Sequence, residues 1–272
     1  MSAVPAIAGA SGRMRQWLDA SSGYVLPLAV CIGTPLLAWE IAARVYAVPE
    51  YLLPLPSAVF ARLFTDYPLL LRQSLKTTSL VIEGFLAGVL PAIVLGYAMA
   101  RFRMIERALY PFLVLTQTTP QIAIAPLLIV WFGYGDLPKI ILAGLLTFFP
   151  VLVDSTTGFR SIDPRLYFVT RSMRASAWQT FWRVELPEAL PSIFSGMKIS
   201  LLTSATVIIV VEFISSSEGL GFVAVRALAN QDLSLMFAAV LAGIIVGLLL
   251  NYLIEAIEYL AMPWMRWRSD IN

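Results

Sequence analysis

FRSIDPRLYFVTRSMRASAWQTFWRVELPEAL, residues 159–190, is the longest charged stretch in a chain of otherwise very apolar segments. It carries five arginines: Arg160, Arg165, Arg171, Arg174 and Arg183. Asp163 followed by Pro164 has the form of an N-cap with proline at the first helical position. Ser176-Ala-Trp-Gln179 has the spacing of a capping box, which predicts a second short helix that Pro187 should stop. Trp178, Phe181 and Trp182 lie at i, i+3 and i+4 and so share one face. One reading makes this loop a handle by which a water-soluble partner moves a membrane-embedded body. The other makes it a pair of interfacial helices, with aromatics at headgroup level and arginines on phosphates.

The composition around it points to a polytopic membrane protein. Of 272 residues, 59% are apolar and 13% charged, where a soluble domain carries about 25% charged residues. Mean hydropathy is +0.80. There is no histidine and one cysteine, Cys31. A histidine base, a Ser/His triad, a histidine metal site and a disulfide framework are therefore excluded. No G-x-x-x-x-G-K-[ST] phosphate loop occurs, so this chain does not hydrolyse ATP by that route.

Six spans are predicted, at about 25–45, 80–100, 108–131, 139–157, 193–214 and 235–257, with tails at 1–24 and 263–272. The region 48–77 reads as a loop with a short amphipathic helix at the membrane surface. Six spans place both termini on one side. With that side cytoplasmic, 12 of the 19 basic residues lie inside, in keeping with the positive-inside rule. Gly84, Gly88 and Gly96 recur at multiples of four on the second span, and Gly243 and Gly247 on the sixth; such stripes let helices approach closely. Trp264, Arg266, Trp267 and Arg268 read as an interfacial anchor.

Polar groups at membrane depth are the pathway candidates. Thr116, Gln117, Thr119 and Gln121 surround Pro120 in the third span, and Ser200, Thr203 and Ser204 lie on the fifth. The competing reading of these residues is structural glue between helices. Glu212 stands out as an acid well inside an apolar run, either an ion site or an acid at the outer interface. Lys198, 14 residues away, is placed at the opposite end of its span, reaching for the interface.

The run SMRASAWQTFWRVELPEALPSIFSGMK (172–198) resembles the cytoplasmic loop of binding-protein-dependent ABC importer permeases. TTPQIAIAPLLIVWFGYGDLPKIIL (118–142), VVEFISSSEGLGFV (210–223) and LPLPSAVFARL (53–63) are similar to further segments of the nitrate/sulfonate/taurine branch. The resemblance implies an all-α membrane fold of six helices in a bacterial inner membrane, with both termini cytoplasmic. It also implies a homodimer, two cytoplasmic ATPase subunits and a periplasmic or lipid-anchored solute-binding protein. ATP and Mg would be bound by the ATPase, leaving this chain without a cofactor. Arg171, Ser172, Met173, Arg174, Ala175, Ser176, Ala177 and Trp178 would form the helix that docks on the ATPase. Two departures stand against the family pattern. Its Glu-Ala-Ala positions are Phe168, Val169 and Thr170, and its nearly fixed glycine is Arg174. Without the resemblance, a stand-alone carrier with Glu212, Lys198 and Gln117 as coupling sites, or a membrane scaffold, would fit the same composition.

Overall fold

The computed structural model describes residues 30–118 and 121–264. The described residues are helical apart from short connections. A first helix, α1 (30–45), is followed by α2 (Pro56–Thr65) and α3 (Tyr67–Arg101). α4 (Arg103–Thr118), a 3₁₀ turn (Gln121–Ile124) and α5 (Ala125–Phe132) come next. Then follow α6 (Leu137–Arg160), α7 (Pro164–Ser172), α8 (Ala177–Thr180), α9 (Leu186–Ser215), α10 (Leu220–Ala229) and α11 (Leu233–Ala261).

Among the described residues, four helical stretches are long and apolar enough to cross a membrane: Tyr67–Arg101, Leu137–Arg160, Ala177–Ser215 and Leu233–Ala261. Three differences from the sequence reading have physical causes. The surface segment ends early: Asp66 separates α2 from α3, and Pro68 opens α3 in its first turn. The polar residues Gln73 and Lys76 therefore ride on the outer end of a 35-residue helix, where hydrogen bonds and ion pairs on the protein satisfy them. The third predicted span is broken. α4 ends at Thr118, a 3₁₀ turn follows at Gln121–Ile124, and α5 starts at Ala125 with Pro126 in its first turn.

The third difference concerns Pro187, which does not stop the second short helix. A π turn at Phe181–Glu185 carries α8 straight into α9, with the Leu186 amide donating to the Phe181 carbonyl. One extra residue in the turn shifts the ladder, and Pro187 falls in the first turn of α9, where no N–H is required. The result is one helical rod of 39 residues, Ala177–Ser215.

α3, α6 and α9 form the centre. Lipid is as apolar as leucine, so close packing rather than water exclusion must hold such helices together. The glycines on α3 serve this. A Cβ on Gly84 would sit 2.5 Å from Ala143 Cβ, on Gly88 2.8 Å from Thr147 Cβ, and on Gly96 2.7 Å from Ser155 Cβ, all on α6. The stripe is thus used within the chain. On α11, Gly243 is pressed by Ile209 Cδ1 at 2.7 Å. Gly247 is different: a Cβ there meets nothing within 4 Å, so no neighbouring helix requires it. Hydroxyls add to the packing. Ser200 donates to the Thr147 carbonyl (3.0 Å) and Ser204 to the Val81 carbonyl (3.4 Å), both fully buried.

Candidate functional site

The loop between α6 and α9 is built as its sequence specifies. Asp163 accepts from the Arg165 amide (2.8 Å), capping α7 with Pro164 in its first turn. Ser176 and Gln179 close a reciprocal capping box: the Gln179 amide donates to Ser176 Oγ (3.2 Å), and the Ser176 amide to Gln179 Oε1 (2.9 Å).

Between the two helices the chain turns on Arg174. Its φ is +53°, in the left-handed region. The Arg174 amide donates to the Arg171 carbonyl (2.9 Å) and the Ala175 amide to the Thr170 carbonyl (2.9 Å). That bond pair is the Schellman C-cap, whose left-handed position normally holds glycine. The turn that the glycine pattern calls for is therefore kept, with an arginine in the strained position.

Above this turn sits an apolar patch bounded by arginines. Met173 is 75% exposed, Trp178 70% and Phe168 67%. Arg171, Ser172, Arg174, Ser176 and Ala177 are exposed as well, and Ala175 is half-buried. Trp178, Phe181 and Trp182 do share a face, with ring centroids 5.4–6.4 Å apart. Phe181 is the inner member, 4.9 Å from Tyr97 and 6.3 Å from Phe159.

The patch is fastened firmly to the membrane helices. Phe159, Ile162, Ala189 and Ile193 form a buried cluster beneath it. Arg160 reaches back to Glu106 (2.7 Å) and to the Met99 carbonyl (3.1 Å). That hydrogen bond holds the Glu106 carboxyl below its usual range. Burial, with the Glu185 charge nearby, pushes the Tyr167 hydroxyl up to about 12.

At the other end of α9, Glu212 is buried and hydrogen-bonded at the edge of a cavity. It is 1% exposed. Thr77 Oγ1 lies 2.9 Å and 3.1 Å from its two carboxylate oxygens, and the Gly221 amide donates to Oε2 (2.8 Å). Thr77 Oγ1 accepts in turn from the Leu220 amide (2.9 Å), and Gln73 Oε1 from the Gly219 amide (2.6 Å). The first turn of α10 is thus clamped to α3 and α9. Gly219 has φ +106°, and its missing side chain makes room for the Glu212 carboxylate. This geometry accounts for the Glu-x₆-Gly-Leu-Gly spacing: acid, left-handed glycine and capped amides form one lock.

Beside the lock, a cavity of about 660 Å³ is lined by Lys76, Asp136, Lys139, Ser216, Phe222 and Arg226, among others. Lys76 and Lys139 share the Asp136 carboxylate at 2.6 Å and 3.2 Å. Burial alone would raise the Asp136 pKa; the two lysine hydrogen bonds outweigh it and leave it below its ordinary value.

The remaining sequence candidates scatter. Thr116 bonds to its own helix at the Phe112 and Leu113 carbonyls, and Thr203 to the Ile199 carbonyl. The side chains of Gln117, Thr119 and Gln121 lie outside the described residues, as do Arg266, Trp267 and Arg268. Lys198 pairs with Glu258 on α11. Ser200, Ser204 and Glu212 face the packed interior of the chain instead of an open surface. One acid escaped the sequence reading: Asp154 on α6, within PVLVDSTTG, an apolar run that should itself have drawn attention to it.

Comparison with known proteins gives a consistent picture. Residues 88–267 match the family model described as binding-protein-dependent transport system inner membrane component. A probable ABC transporter permease protein of Haemophilus influenzae is 34% identical, covering 84% of this chain and 93% of that protein. The riboflavin transport system permease RibX of Chloroflexus aurantiacus is 34% identical (88% and 90% covered). The taurine transport system permease TauC of Escherichia coli is 29% identical (84% and 86%). Among solved structures, an inward-facing MetNI methionine ABC transporter shares the fold with a TM-score of 0.60 at 20% identity, covering 71% of this chain and 96% of that one.

Proposed function

We propose, from the premise that this chain belongs to the family of binding-protein-dependent transport system inner membrane components, that its 171–178 segment is where an ATPase subunit grips it. The protein is a multi-pass permease of an ATP-driven ABC importer with the type I permease fold. In the proposed assembly, two copies enclose the pathway and each docks one cytoplasmic ATPase, which holds the ATP and Mg. A solute-binding protein delivers the substrate from the opposite side. Both termini are cytoplasmic, since that placement puts the arginine-rich loops on the inner face.

The observation that carries the docking role is the build of the 159–190 loop. An exposed apolar turn, fixed by a Schellman cap and a capping box, is stapled through Arg160 and Phe181 to three helices. Exposed large apolar groups at a rigid helix start suit insertion into a groove on a protein partner. The stand-alone carrier reading loses ground, because two of its coupling sites, Glu212 and Lys198, are engaged inside the fold.

The solute belongs to the small polar class named for the relatives: sulfonates and taurine, or a pyrimidine or flavin. The test of the docking role is co-purification of the detergent-solubilised protein with its ATPase. Met173→Ala combined with Trp178→Ala should lose the ATPase while the permease remains folded and extractable. Unchanged ATPase recovery with this double variant would refute the docking role.

A further inference from the structure

The inference below rests on the importer reading above and concerns what passes through the protein. Asp154 lies on α6, about 26 Å from its Leu137 end and about 9 Å from its Arg160 end at 1.5 Å per residue. It is half-buried, and among the described residues it makes no hydrogen bond and no ion pair. The cations within reach along these helices are committed elsewhere: Arg160 to Glu106, and Lys198 to Glu258. Opposite it stands Gly196 of α9. A Cβ there would come within 3.1 Å of Asp154 Oδ2, so glycine leaves room for the carboxylate.

The surface next to Asp154 is uncovered. On α9, Ser195, Ile199, Leu202 and Thr206 are exposed at i, i+4, i+7 and i+11, one continuous helical face. Val153 and Thr157 continue it on α6. The threonines on this face could meet hydrocarbon, because Thr157 donates to the Val153 carbonyl (2.9 Å) and Thr206 to the Leu202 carbonyl (3.0 Å). A carboxylate without a partner is costly against lipid and faces water or the protein interior.

We infer that Asp154 lines the translocation pathway between two copies of the chain and makes it electronegative, so that neutral or cationic solutes pass more readily than sulfonates or other small anions. Arg160, the next exposed position on α6, is held by Glu106 and does not offset the charge, and two copies would double it. The binding protein sets which solute is offered. Asp154 sets which charge passes easily.

The test needs no knowledge of the solute. Cys31, the natural cysteine and an exposed one, is replaced by serine. Ser195→Cys or Thr157→Cys is then introduced as a reporter in the full importer complex in open membrane fragments. Reaction rates are measured with methanethiosulfonates bearing a trimethylammonium or a sulfonate group. The cationic reagent should react faster at both reporters. Asp154→Asn should lower the cation-to-anion rate ratio roughly tenfold, since one charge attracts one reagent and repels the other. Asp154→Glu should preserve it. A ratio indifferent to Asp154→Asn overturns the inference. So does the absence of reaction at both reporters, which would mean that lipid or the second copy covers this face. Recovery of the ATPase with each variant is scored separately, so failure of the importer reading would be visible on its own.

Discussion

Replacing Arg174 by glycine should tighten the turn that presents the proposed docking segment. The arginine occupies φ +53°, where a Cβ crowds the following carbonyl and costs about 1–2 kcal/mol. Glycine removes that cost but loses about 0.5–1 kcal/mol more conformational entropy on ordering. The net gain is about 0.5–1 kcal/mol, applied to a local structure defined by two amide hydrogen bonds, from Arg174 and Ala175. Local opening would become roughly two- to fivefold rarer. Hydrogen exchange at residues 173–176 of the solubilised protein reads this directly, with slower exchange expected in Arg174→Gly and little change in the core of α9.

A second variant separates strain from contact. Arg174→Ala keeps the Cβ and the strain but removes the guanidinium, so its exchange should match the natural protein. If glycine gives no slowing, or alanine slows exchange as much as glycine does, the strain account is wrong. If glycine does slow exchange and alanine does not, an arginine retained at a cost of this size is explained by a contact with the ATPase. In that case Arg174→Gly should weaken ATPase recovery even as it stabilises the loop.

Two further substitutions test the membrane-embedded part. Gly88→Ala should destabilise by about 1–3 kcal/mol, lowering the thermal midpoint by several degrees, because the new Cβ meets α6 with Thr147 Cβ only 2.8 Å away; Gly247→Ala should be neutral, since its Cβ enters open space. Thr77→Val removes the hydroxyl shared by Glu212 and the Leu220 amide, leaving buried polar groups short of a partner at a cost of about 1–3 kcal/mol; faster hydrogen exchange at residues 219–223 should reveal the loosened start of α10.

Local signals in the sequence were the ones that carried through to the structure. The Asp163 cap and the Ser176–Gln179 box are written in adjacent residues, and both form as their spacing predicts. The aromatic face at 178, 181 and 182 follows from helical periodicity alone. What could not be read depends on distant partners. Glu212 was left between an ion site and an acid at the outer interface because nothing near it in sequence reveals Thr77, 135 residues away, or the turn it clamps. Lys198 looked like an interfacial lysine because Glu258 is 60 positions further on. Hydroxyls on α9 divide between packing and open surface by helix face. Ser200 and Ser204 are four apart and point inward together, while Thr203 and Thr206 bond to their own helix.

The misjudged effect of Pro187 matters most for mechanism. Had the helix ended there, the docking segment would hang from the membrane body by a joint. Instead the π turn lets the ladder pass the proline, and Trp178 and Glu212 belong to one helical rod. At 1.5 Å per residue their 34-residue separation is about 51 Å, more than the roughly 40–45 Å of a bilayer with its headgroups. A rod of this kind transmits displacement with two places where bending is easiest, the π turn and Pro191. Both ends are fastened: Phe181 to Tyr97 and Phe159 at one, Glu212 to Thr77 and the α10 turn at the other. A push on the exposed tryptophan patch therefore reaches α3 and α6 through packed contacts along the whole rod. The Glu212 lock then carries the same movement to α10. In the proposed assembly, motion imposed by an ATPase at the tryptophan patch would thus have a continuous path of stiff contacts to the other end of the rod.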